Sequence, residues 1–220
     1  MKGEESLVSI LGTHYLQAVT RLLEDLLALP AGPPADRVKA PYPENAYSAS
    51  ICILSAICFE SCVMKIRSEH PEHHGPERLD GAIEYFGLLY PTYPGLEQLR
   101  DVFVLRNCLV HNHVWKLDIS WDEQLNLKVE DAAKAAFSGD KNYAARVDPD
   151  ARRTRVLGLH VVPIDVDRTD TFKVIRAVWS ALEFIDSVSP SMLGAAKLPL
   201  QLYGGKKVRF PEVVRGMPDA

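Results

Sequence analysis

The stretch from Glu44 to Glu69 constrains the fold more than any other part of the chain. It contains neither glycine nor proline, and Ile51, Leu54, Cys58 and Val63 recur along it at helical spacing. Apolar residues cover more than half of its circumference, which predicts a long, central, buried helix that other elements must surround. The rest of the sequence supplies suitable partners. Glu4 to Leu29 reads as a first helix, with Leu7, Ile10, Leu11, Tyr15, Ala18, Leu22, Leu26 and Leu29 on one face, and it stops at the Pro30 to Pro34 cluster. Arg78 to Leu89 and Leu96 to about Asn112 predict two more helices, broken apart by Pro91-Thr92-Tyr93-Pro94-Gly95. Thr169 to Val188 predicts the last, with Phe172, Ile175, Val178, Trp179, Leu182 and Ile185 as its inner face.

Between the fourth and last helices the period changes. His113 to Ile119 and Gln124 to Glu130 alternate in the manner of strands around a short connection, so they predict a β-hairpin. A polar, arginine-containing section follows from Asp140 to Arg153, and Thr154 to Val162 reads as a third strand. The expected organisation is mainly α. A helical domain spans residues 1–188, with a small β insertion at about 113–163, and a Pro/Gly-rich C-terminal tail covers residues 189–220. Lys206, Lys207 and Arg209 cluster in that tail, which reads as an arm for a partner or a mobile end.

Composition narrows the function classes. A formal net charge of -4 gives no global basic field, so any contact with RNA must use a local cluster of Lys and Arg. Lys141, Arg146, Arg152, Arg153 and Arg155 form one such cluster, read equally well as a solvated loop. The acidic start, Met1-Lys2-Gly3-Glu4-Glu5, lacks the features of a secretory leader, and the longest apolar run is interrupted by Ser55, Glu60 and Ser61. Together these features predict a cytoplasmic protein without a membrane contact. Cys52, Cys58, Cys62 and Cys108 show no CxxC spacing and read as free buried thiols, although Cys58 and Cys62 are one helical turn apart. The histidines at 70, 73 and 74 lie between prolines and read as a solvated loop rather than a metal site. No Walker A, GxGxxG, GxSxG or HExxH pattern is present.

The informative segment is the fourth helix, Leu96 to His111. On a wheel, Leu96, Leu99, Val102, Phe103, Leu105, Leu109 and Val110 fill one continuous arc, and Arg106 falls near its middle. A guanidinium on an apolar face is costly unless it is paired or lies at an interface or a site. Asn107 and His111, four apart, sit together at the arc's edge. One reading is structural: Arg106 bridges to another helix, through Glu60 or Glu84, and His111 is a helix C-terminal residue favoured by the macrodipole. The other reading is a site.

Arg106-Asn107-Cys108-Leu109-Val110-His111 has the form R-N-x-x-x-H and resembles the R-x4-6-H motif of HEPN ribonucleases, in which a polar residue, often Asn, directly follows the Arg. The resemblance covers this helix and the general layout of a four- to five-helix bundle; a β-hairpin directly after the motif is not common to all members. It implies a metal-independent endoribonuclease without a cofactor, with Arg106, Asn107 and His111 as catalytic residues. It also implies a homodimer with a composite site, and a toxin or antiphage-defence role under the control of an antitoxin or other regulatory protein.

The chemistry fits these residue types. Attack by the RNA 2′-OH on phosphorus needs a proton acceptor, a proton donor and positive charge on the phosphorane. His111 is suited to proton transfer and Arg106 to the charge, while Asn107 can orient His111 or donate to a phosphate oxygen. At a spacing of five, Arg106 and His111 lie about 140° apart on a regular helix, so either the long Arg side chain wraps around or a second subunit completes the site. The competing reading is a non-catalytic HEPN-like module that binds a nucleotide or a protein partner. A Cys108–His111 dyad is the weakest option, since nothing is placed to orient it.

Overall fold

The long apolar stretch folds as a single helix, α2 (Tyr42–Glu69), following α1 (Tyr15–Ala28) with its short 3-10 lead-in at Gly12–His14. Two helices then precede the insertion: α3 (Ala82–Leu89) and α4 (Leu96–Val110). The hairpin strands β1 (Trp115–Trp121) and β2 (Leu127–Lys134) come next, then α5 (Lys141–Arg146), β3 (Val147–Asp148), β4 (Arg153–Thr154) and α6 (Arg168–Val188). The chain ends in β5 (Gln201–Tyr203), β6 (Lys206–Val208) and α7 (Phe210–Gly216). The computed structural model describes residues 12–30, 42–69, 81–110, 115–121, 127–134, 141–188 and 201–218. The protein is a mainly α helical bundle.

α2 lies at the centre because it is the only described helix that packs on α1, α3, α4 and α6 alike. It is long and apolar enough to cross a membrane by length and composition. Here half of it is buried by neighbouring helices instead, with Ile51, Cys52, Ala56, Cys58, Phe59, Val63 and Ile66 in the core. Each aliphatic or aromatic side chain removed from water contributes about 1.5–3 kcal/mol before entropy is counted. Edge-to-face aromatic contacts join the helices: Phe59 meets Phe86 of α3 at 5.1 Å and Phe103 of α4 at 5.9 Å. The apolar circumference of α2 exceeds what its neighbours cover. Met64 stays 43% exposed, and Ile53 and Ile57 are half-buried.

The polar ends are tied as tightly as the core. Arg168, the first residue of α6, forks onto the buried Glu44 of α2, with Nε donating to Oε1 at 2.9 Å and Nη2 to Oε2 at 2.7 Å. The same Nη2 donates to the carbonyl of Pro30 beyond α1, at 2.9 Å. Hydrogen bonding to Glu44 pushes the guanidinium pKa of Arg168 up. Asn45 adds donations to the carbonyls of Pro163 and Val166. Asp167 caps α6 by accepting from the amides of Thr169 and Asp170, and Asp170 accepts from the amide of Asp167 in return.

The insertion differs from expectation in its second half. The hairpin forms: β1 and β2 pair antiparallel, with an irregularity between Asp118 and Ile119. The expected strand from Thr154 to Val162 does not. The chain reverses there, because Gly158 takes a left-handed backbone (φ 65) and the segment closes on itself, Thr154 donating to the Leu159 carbonyl at 2.8 Å and Val161 to the Arg152 carbonyl at 3.1 Å. The polar section before it holds α5. Val147 and Val161 join Val104 and Cys108 of α4 in a small second core, with Tyr143 packed against it.

The C-terminal segment also differs from a separate tail. Phe210, Val213 and Met217 are buried in the main core, Phe210 standing 5.2 Å from Trp179 of α6, and the Gly204 amide reaches Glu24 of α1 at 2.8 Å. Phe210 and Val213 on α7 and Met217 just after it are spaced three and four apart, so one side of this short helix is apolar and packs on the bundle.

Candidate functional site

α4 is buried on two sides. Leu99, Val102 and Leu105 face the main core, while Val104 and Cys108 face the second core. Arg106 and Asn107 are both half-buried, and the Arg106 side chain reaches across to α2. The single apolar arc expected from the wheel is therefore divided, since Val110 is 41% exposed and Phe103 is half-buried.

The Arg106 guanidinium is held from two helices. Its Nη1 donates to Asn107 Oδ1 at 3.0 Å, and its Nη2 reaches Glu60 Oε2 of α2 at 3.3 Å. The side chains of Arg106 and Glu60 keep 20% and 35% of their surface in contact with solvent. Of the two acids named as structural partners, Glu60 is the one the structure brings to Arg106. The pairing is partly solvated and joined by one oxygen, unlike the two-oxygen fork of Arg168 on Glu44. Asn107 spends its acceptor on Arg106, which leaves its amide nitrogen as the group suited to a phosphate oxygen or to His111. His111 lies outside the described residues, as do the histidines at 70, 73 and 74. Cys108 points to the second core with Val147 and Val161, so the side chains of Cys108 and Arg106 leave α4 in different directions.

Half-buried and exposed apolar side chains flank the ion pair. On α2, Ile53, Ile57 and Met64 follow a helical stripe beside Glu60, and on α4, Phe103 and Val110 lie three before and four after Arg106.

The arginines at the end of α5 and in the segment after it are mostly engaged inside the chain. Arg146 bonds Glu97 at 2.6 Å and stands 3.8 Å from Asp101, and hydrogen bonding to Arg146 holds the Glu97 carboxyl below its ordinary range. Asp101 is fully buried on α4, and its Oδ2 accepts from the amides of Val156 and Leu157, each at 2.8 Å. It thereby fixes the tip of the 154–159 reversal. Arg153 meets His160 Nε2 at 2.7 Å, and His160 Nδ1 donates to Asp170 Oδ2 at 2.8 Å. Arg155 remains exposed.

His160, Asp167 and Asp170 place ligand-type atoms within 4.8 Å of one another. Their hydrogen bonds explain that proximity. Both ring nitrogens of His160 have partners, one of them a guanidinium that repels a cation, and both aspartates cap α6. None of this cluster was expected from the sequence. Its only signal there is the D-x-x-D spacing of Asp167 and Asp170 at the start of a helix.

Cys58 and Cys62 share a hydrogen bond that, together with burial, pushes the Cys58 thiol up; the same bond draws the Cys62 thiol down against the opposing effect of burial. All four cysteines are free and buried.

Comparison with family models, curated proteins and solved structures returns no match to this chain. The class is accordingly that of the fold, a mainly α helical bundle, and the function is argued from the site.

Proposed function

We propose that the protein is a metal-independent endoribonuclease of HEPN type, in which Arg106 and His111 carry the chemistry and Asn107 supports them at a homodimer interface. The observation that carries this reading is the placement of the Arg106 guanidinium, oriented from two helices by Asn107 Oδ1 at 3.0 Å and Glu60 Oε2 at 3.3 Å. It is half-buried beside the apolar positions of α4, yet 20% of its side-chain surface stays open to solvent. A guanidinium held in this way is suited to meet a phosphate oxygen.

In the proposed reaction the RNA 2′-OH attacks the adjacent phosphorus, forming a 2′,3′-cyclic phosphate and releasing the 5′-oxygen. His111 exchanges protons with the attacking or leaving oxygen, a role worth typically about 10²–10⁴-fold. Arg106 carries charge opposite the non-bridging oxygens, and Asn107 donates from its amide nitrogen.

The half-exposed stripe of Ile53, Ile57, Met64, Phe103 and Val110 supports the dimer. A two-fold apposition of that face sets Glu60 and Arg106 of one subunit against their counterparts and brings two motif helices together. The toxin or defence role and the regulatory protein follow from the resemblance of the R-N-x-x-x-H motif and, with a cytoplasmic setting, are part of the proposal.

Arg106→Ala and His111→Ala test it, each compared with wild type on total RNA. Both are expected to lose cleavage while keeping the wild-type circular dichroism spectrum and dimeric mass. Full activity in either variant, or activity retained by a species that is monomeric at micromolar concentration, would contradict the reading. The second reading, a nucleotide- or partner-binding module, predicts that Arg106→Ala weakens phosphate binding while His111→Ala changes nothing.

A further inference from the structure

We infer that Glu60 is a positioning residue of the same site, and that its carboxylate sets both the place and the effective charge of the Arg106 guanidinium. This rests on the ribonuclease reading above. Arginine carries its charge on a long flexible stem, and a fork that must meet a phosphorane gains from being oriented beforehand. Misplacement by about 1 Å costs on the order of 10²-fold in rate. The two terminal nitrogens of Arg106 meet oxygens from different helices: Nη1 meets Asn107 Oδ1 of α4 at 3.0 Å and Nη2 meets Glu60 Oε2 of α2 at 3.3 Å. α2 is the central helix of the bundle, and Phe59, the residue before Glu60, is fully buried against Phe86 and Phe103. Glu60 is therefore mounted on the central helix, next to a fully packed aromatic side chain.

The carboxylate has a second effect. A negative charge beside the guanidinium opposes the approach of a phosphate, so Glu60 trades substrate affinity for the orientation of Arg106. Orientation needs an oxygen acceptor, whereas repulsion needs the charge. Glu60→Gln keeps the first and removes the second, and Glu60→Ala removes both.

The experiment is steady-state cleavage of a defined RNA oligonucleotide by wild type, Glu60→Gln and Glu60→Ala, with the Arg106→Ala and Arg106→Ala/Glu60→Ala pair alongside. Glu60→Gln is expected to keep kcat within about threefold, lower KM and leave the pH profile unchanged. Glu60→Ala is expected to lower kcat by about tenfold or more and to cost nothing further on the Arg106→Ala background, because residues that act through one another are not additive. Wild-type kcat in Glu60→Ala overturns the inference and leaves the ribonuclease reading intact. Equal inactivity of Glu60→Gln and Glu60→Ala, with one limb of the pH profile lost, overturns it by making Glu60 a proton carrier. Wild-type protein that leaves RNA uncut overturns both.

Discussion

Two arginine–glutamate pairs involve α2, Arg168 with Glu44 and Arg106 with Glu60, and their environments predict different consequences for truncation. Arg168→Ala removes the guanidinium from Glu44, whose residue is 3% exposed and whose two oxygens both accept from Arg168, at 2.9 and 2.7 Å. It leaves a buried carboxylate without its counter-ion, and loses the tie to the Pro30 carbonyl at 2.9 Å. Breaking a buried pair in this way costs about 3–5 kcal/mol. Arg168 keeps 21% of its side-chain surface in solvent, so the lower end, about 3 kcal/mol, is the expected value. Arg106→Ala breaks a pair with Glu60 whose two side chains keep 20% and 35% of their surface in solvent, and the loss of such a pair is expected to cost about 0–1 kcal/mol. For a chain of this size each kcal/mol moves the melting temperature by roughly 2–4 °C. The assay is urea unfolding of the two variants beside wild type, checked by thermal melts. Arg168→Ala should melt about 6–12 °C lower and Arg106→Ala within about 4 °C of wild type. Equal losses from the two substitutions would refute the reasoning, because Arg106 would then be a residue that holds the fold together.

Three further outcomes follow from the same kind of argument. Asp101→Ala strands the Val156 and Leu157 amides and unties the reversal from α4, and should cost about 2–4 kcal/mol in urea unfolding, with faster hydrogen exchange at residues 154–159. Phe210→Ala opens a cavity beside Trp179 and should cost about 3–5 kcal/mol, which a tail outside the core would not. All four cysteines are buried, and the Cys58 thiol is pushed up by its bond to Cys62 and by burial. The native protein should therefore resist a thiol reagent at pH 8 and release its thiols only on denaturation; a thiol that reacts at once would contradict the packing of α2 and α4.

Helical periodicity made most of the bundle legible in the sequence. α2, α4 and α6 each begin and end within about two residues of their expected bounds, because strong apolar patterns are bounded by proline-rich breaks or polar turns. The reversal at 152–161 was not legible. Thr154 to Val162 alternates like a strand, and its outcome depends on Gly158 and on Asp101, a residue more than fifty positions earlier that captures two of its amides. Long-range capture of this kind leaves no local pattern. The same holds for the Arg153–His160–Asp170 chain, whose members fall singly in an expected polar section, an expected strand and an expected helix. The final helix was obscured by the Pro/Gly content around it, although the spacing of Phe210, Val213 and Met217 carries the signal. At the site, the wheel placed Arg106 on an apolar face, and Glu60 was one of two acids within reach of the argument. Choosing between Glu60 and Glu84 required the packing of α4 on α2, which periodicity alone does not provide.

The most direct test of the central claim is the chemistry of the RNA ends produced in excess EDTA. Purified wild-type protein should cut RNA under those conditions and leave 2′,3′-cyclic phosphate or 3′-phosphate ends, the signature of 2′-OH attack without a metal. Cleavage that requires a divalent ion, or that leaves 5′-phosphate and 3′-hydroxyl ends, would contradict it, because Arg106 and His111 would then not be performing the reaction assigned to them.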